Sequence, residues 1–154
     1  MTASRRLWLG ALAAGVMGAG LYFGKTDMGW MTSSKRDDLV RLLGAQGEAL
    51  VGDAAIAAWV PDPNYKPRSY HLVRALDEAA FRRLAGQAGL AVAASPAVVE
   101  GVWRLPDGVT LPGWAAPDVP PGAGLQVHGP VGSTQLWWRW HQGQAFMVVR
   151  PAAG

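Results

Sequence analysis

The sequence predicts an α+β fold: a small domain with helices packed on one face of an antiparallel sheet that ends in a three-stranded meander, preceded by an N-terminal transmembrane or signal helix. Three observations carry that prediction. An uncharged apolar run fills residues 7–24, cap signals frame helical apolar spacing between residues 35 and 89, and the last thirty residues agree on one apolar face when folded as successive hairpins. With 154 residues, half of them apolar, 16% charged and none of them Cys, the chain has room for one domain of ordinary size. That composition excludes a disordered charged tail, a collagen-like repeat and a disulfide-stapled scaffold.

The organisation reads as a cytoplasmic flank over 1–6, a membrane anchor or signal segment over 7–24, a linker over 25–34 and an extracytoplasmic domain over 35–151. Arg5 and Arg6 precede eighteen uncharged residues, closed by Lys25. As a helix that run is about 27 Å long, close to the roughly 30 Å hydrocarbon core. No A-x-A site follows it, and Trp8 at one end with Tyr22 and Phe23 at the other suits the headgroup levels, so a retained anchor is favoured over a cleaved signal. The positive flank keeps the N-terminus inside and the domain outside the bacterial inner membrane, in the periplasm. Gly15 belongs to small residues spaced four apart, which let two such helices approach as a weak homodimer. Ser4-Arg5-Arg6-Leu7-Trp8-Leu9 resembles the twin-arginine translocation signal. The resemblance spans six residues and implies export of an already folded domain; an ordinary positive flank accounts for the same residues.

The formal charge of +3 lies mostly in this leader. Without residues 1–32 the chain holds 11 basic and 10 acidic groups, so no basic face is expected and nucleic acid is not an expected partner. Arg outnumbers Lys 11 to 3, the bias of a GC-rich bacterial genome.

Within the domain, Ser34 to Asp37 has capping-box character and Leu39, Leu42 and Leu43 follow at helical spacing, which predicts a helix over 35–46. Asp37, Asp38 and Arg41 read as its solvated face, with one i,i+4 pair. The Ala-rich stretch 48–59 predicts a second helix, broken at Gly52 or ended by Pro61. Residues 69–74 alternate as a strand. Asp77 is the N-cap of the next helix, with Leu76 and Phe81 as a hydrophobic staple and Gly89 as its left-handed cap. Residues 98–105 alternate as another strand. From 106 to 124 nine of nineteen residues are Pro or Gly, a working or covering loop.

In the meander, Gln142-Gly143 suits a two-residue turn and pairs Trp140 with Ala145, Trp138 with Met147 and Leu136 with Val149. Pairing Val127 with Leu136 continues the sheet with Leu125 opposite Trp138, on the same apolar face.

The other face of the meander carries the expected binding residues: His128, Trp137, Arg139, His141 and Phe146, with Trp114 from the loop. Arg139 opposite Phe146 suggests a cation–π platform for a peptide or glycan strand. The competing expectation is that the loop folds over this face and finishes the core. Other chemistries lack their residues. His128 and His141 stand about 20 Å apart in this register, and no zinc spacing exists, so no metal or cofactor is expected. There is no Cys and no G-x-S-x-G, and Ser133 reads as a turn residue. A hydrolase would have to draw on Asp62, Glu100, Asp107 or Asp118. The expected function is therefore a membrane-anchored, non-catalytic interaction domain with an envelope protein or polymer as partner. The alternatives are a freely exported periplasmic small-molecule or peptide binder, and a carboxylate hydrolase built on Glu100.

Overall fold

The structure is a computed structural model and describes residues 35–61, 67–94 and 101–152. The chain divides into two compact units between Lys35 and Arg36, and the sheet with the helices from Arg36 onward belongs to the second. The expected membrane segment, with Trp8, Gly15, Tyr22 and Phe23, and the Ser34 cap lie outside the described residues.

Six antiparallel strands form one sheet: β1 (Ala55–Trp59), β2 (Ser69–Ala75), β3 (Ala93–Ala94), β4 (Leu125–Val131), β5 (Thr134–His141) and β6 (Gln144–Pro151), in the order β1-β2-β6-β5-β4-β3. The helical segments α1 (35–43), α2 (Gly47–Val51) and α3 (Glu78–Gln87) cover one face. Alternation places Tyr70, Leu72, Leu136, Trp138, Met147 and Val149 there. They pack against Leu39, Leu43, Leu50, Val51, Phe81 and Leu84 in one buried core.

The best-defined helix is α3, and its ends explain it. Asp77, extended at ψ 159°, accepts a 2.6 Å hydrogen bond from Ala80 N–H. At the other end Gly89 takes φ +74°, Leu90 N–H donates to Ala85 C=O at 2.9 Å, and Gly89 N–H donates to Gly86 C=O at 3.0 Å. This is a Schellman closure, and Leu90 turns into the same core as Leu84 and Ala85.

Four expectations are corrected. The first helix ends at 43, with a 3₁₀ turn at Gly44–Gln46 in place of its last turn. The second stops at Gly52, whose φ of +51° ends it after five residues, and Ala55–Trp59 is the edge strand β1. Alanine favours helix locally, but pairing along the whole of β1 with β2 and burial of Ile56 and Ala58 on the core side decide the outcome. In the described part of the strand expected over 98–105, residues 101–103 instead form a 3₁₀ turn with Val102 and Trp103 both buried; 98–100 lie outside the described residues. Finally, Val127 pairs with Trp138 rather than Leu136, and Leu125 with Trp140. Gly132, at φ +57°, and Ser133 form the two-residue turn, the type II′ pattern with glycine first. The slip is by two residues, so every side chain keeps its expected face. The β5–β6 register matches expectation in all three predicted pairs, with Gln142 (φ +46°) and Gly143 (φ +77°) both in the left-handed region of a type I′ turn.

Candidate functional site

The second face of the sheet carries His71, Val73, Phe146, Val148, Trp137 and Arg139, and most of it is roofed. Residues 101–124 run across it as a succession of hydrogen-bonded turns, such as Val109 N–H to Pro106 C=O at 3.0 Å and Trp114 N–H to Leu111 C=O at 3.1 Å. From this roof Val102, Trp103, Leu111, Ala116 and Val119 bury against Val73, Phe146 and Val148 to make a second core. A proline- and glycine-rich segment can do this because each turn satisfies its own backbone, which leaves the apolar side chains free to face the sheet.

Arg139 belongs to this core. It is 1% exposed, its Nη1 donates to Ala116 C=O at 2.8 Å and its Nη2 to Gln126 Oε1 at 3.2 Å. Its guanidinium lies 4.8 Å from the centroid of the buried Trp103 ring, so the cation–π partner is Trp103 and not the expected Phe146. Trp114 is half-buried. Its Nε1 donates to Trp103 C=O at 3.0 Å, and its ring meets His71 and Phe146 edge-on at 5.4 and 5.7 Å. Of the expected binding residues, Arg139 and Phe146 are thus interior packing, and Trp114 is part of the roof that seals them. His141 sits at the far end of β5, with Nδ1 3.0 Å from Ala123 C=O.

The roof stops short at one end. There His128 is exposed and stacks on the half-buried Trp137 at 4.7 Å and 16°, and the Arg150 guanidinium lies over the same indole at 5.2 Å. The register explains the stack, since His128 is the direct cross-strand partner of Trp137. Beside it opens a cavity of about 200 Å³ lined by Trp59, Arg68, Ser69, His71, Arg104, Pro106 and Arg150. Strand pairing brings three of these together: Trp59 opposes Ser69, and Arg150 follows Val149, the partner of Tyr70. The flanking loops add Arg68 and Arg104.

Among the described residues, every charged side chain lining this cavity is an arginine. Arg68, Arg104 and Arg150 are exposed, and none has a carboxylate partner among the described residues. His71 is 2% exposed, and its Nδ1 has no hydrogen-bond partner among the described residues. Burial, then the nearby Arg150 charge, lowers its pKa to about 4, so the imidazole is neutral at pH 7. A cleft with one sign of charge and apolar walls concentrates field toward a ligand of the opposite sign.

A second cavity, about 300 Å³, is lined by Asp38, Arg41, Leu42, Pro67, Tyr70 and Pro151. Here Arg41 pairs with Asp38 rather than with the expected Asp37, so its charges are internally matched. Burial, followed by the Asp38 charge, raises the Tyr70 hydroxyl above its ordinary value, keeping it a neutral phenol. Among the described residues no three metal-ligating side chains converge. Glu100 and Asp62 lie outside them, and Asp107 and Asp118 are exposed on the roof.

Arg68, Arg104 and Trp59 were not expected at a site. Parity along β1 and β2 already places Trp59, Ser69 and His71 on one side of the chain, but Arg68 and Arg104 arrive from irregular segments that carry no periodic signal. The chain matches no family model, no curated protein and no solved structure.

Proposed function

We propose that this chain is a small, membrane-held extracytoplasmic domain that binds an envelope component without catalysis, using the open end of its second sheet face. One observation carries the binding half of this reading: the roof covers that face except where the Trp137–His128 stack and the three-arginine cavity stand. A part-exposed indole held by its neighbours is an efficient anchor, because little of its freedom remains to be lost on binding. The location rests on the sequence over 1–24 alone. Among the described residues no helix is long and apolar enough to cross a membrane, and the segment at issue lies outside them.

Two features favour binding over hydrolysis. Ser69 and His71 both line the cavity, but Nδ1 of His71 is unpartnered among the described residues and no carboxylate among them orients the ring, so the described residues hold no relay that would activate a serine. The cavity's charge also suits holding an anion better than donating a proton.

The test uses the full chain with its own leader, expressed in its bacterial host. Intact mass and partition after an alkaline wash report the anchor: full-length chain in the pellet is expected, and a soluble chain shortened by about twenty to thirty residues would establish the freely exported binder instead. Photo-crosslinking of the anchored chain in isolated envelope then tests the site. Arg104→Gln should abolish the crosslinked adduct with unchanged melting temperature, and Trp137→Ala should abolish it in chain that is still folded by circular dichroism; adducts equal to wild type would refute the site.

A further inference from the structure

We propose that the open-end cavity is an oxyanion site for a phosphate monoester, with Arg68, Arg104 and Arg150 holding the phosphate and the Trp137–His128 stack receiving the group esterified to it. This rests on the binding reading above and names its ligand class.

The chemistry of the lining argues for phosphate. One guanidinium fork satisfies a carboxylate's two oxygens, whereas a tetrahedral dianion offers three free oxygens and twice the charge. Three arginines without carboxylate partners among the described residues match the second ligand. Left alone, three like charges around one small opening repel each other, a cost that a bound dianion removes. The neutral lining fits as well. Ser69 is buried, and His71 is buried with a ring nitrogen lacking any partner among the described residues; both are groups able to donate to an anion.

Size separates head from tail. At about 200 Å³ the cavity is below the roughly 300–1,000 Å³ that encloses a whole drug-sized ligand. It takes the charged group alone and leaves the remainder outside. The neighbouring aromatic surface is the Trp137 indole, already bridged to the cavity by Arg150 across its face. A ring or sugar face resting on the exposed His128 side of that stack is the natural continuation.

The probes are inorganic phosphate, phenyl phosphate, acetate and benzoate, titrated calorimetrically into the full chain in neutral detergent. Saturable binding of phosphate is expected, tighter for phenyl phosphate and at least tenfold weaker for acetate and benzoate. Arg104→Gln and Arg150→Gln should each weaken phosphate at least tenfold. Trp137→Ala should remove the advantage of phenyl phosphate over inorganic phosphate, weakening the ester more than the inorganic ion. Vesicles of neutral lipid with and without a phosphate-monoester headgroup lipid identify the source. Competition by the headgroup vesicles assigns it to lipid, and their failure beside successful phenyl phosphate assigns it to a soluble ester. No saturable phosphate binding at millimolar concentration, equal binding of acetate, or indifference to both arginine substitutions overturns the proposal. If that happens while Arg104→Gln still abolishes envelope crosslinking, the binding reading stands and only the ligand class falls. If phosphate binds as expected but crosslinking ignores both Trp137→Ala and Arg104→Gln, the reading falls and the phosphate site stands.

Discussion

Burial holds the His71 imidazole neutral, its pKa lowered to about 4 from 6.5. Between those two values the unfolded chain binds a proton that the folded chain refuses. Stability from this group is therefore intact above pH 6.5, falls as pH drops below it, and is fully lost near pH 4. The gap corresponds to about 3 kcal/mol. Denaturant melts of wild type and His71→Gln at both ends of that window should show the difference between them shrinking toward low pH; parallel curves would place the imidazole in solvent. Arg139 is buried too, with its guanidinium hydrogen-bonded to Ala116 C=O and Gln126 Oε1. Truncation in Arg139→Ala removes the donor to Ala116 C=O and the cation over Trp103, and should cost about 2–4 kcal/mol by denaturant melt. Loss below about 0.5 kcal/mol would mean that the roof does not close on it.

At the scale of elements, caps and turns carry definite energies. Asp77→Ala should lower stability by about 1 kcal/mol through loss of the α3 N-cap. Gly132→Ala should cost more, about 2 kcal/mol or above, for two reasons. The position has φ +57°, and a Cβ there meets the Leu42 carbonyl oxygen, which also accepts from Ser133 N–H at 2.9 Å. Thermal melts of both variants check this ordering, and a milder effect at Gly132 would contradict the β4–β5 turn. These same turns show how far the sequence is legible. Gln142-Gly143 announces a type I′ hairpin, so the β5–β6 register follows from residue types alone. Gly132-Ser133 is the other two-residue turn, and reading past it shifts β4 by two residues while leaving its faces intact. β1 is illegible locally because Ala-Ile-Ala-Ala-Trp prefers helix and becomes strand only through β2. The competition between platform and roof for Trp114, Arg139 and Phe146 is also undecidable from pattern, because both outcomes ask for the same alternation. It is decided by Trp103, which supplies the ring beneath which Arg139 is sealed.

For the whole molecule, one sheet serves two cores of different construction. Helices cover the first face and irregular turns close most of the second, so the uncovered end is where the fold leaves charge and aromatic surface exposed. Apolar closure elsewhere gives that end a rigid floor. His71, Val148 and Trp137 lie in one cross-strand row running from beneath the roof to the exposed stack. The measurement that tests this most directly is hydroxyl-radical footprinting of the full chain, alone and on isolated envelope. A roofed face with one open end predicts Trp103 protected in both states, and Trp137 and His128 modified in the free chain but protected on envelope. Modification of Trp103 in the free chain, or of Trp137 to the same extent in both states, would contradict it.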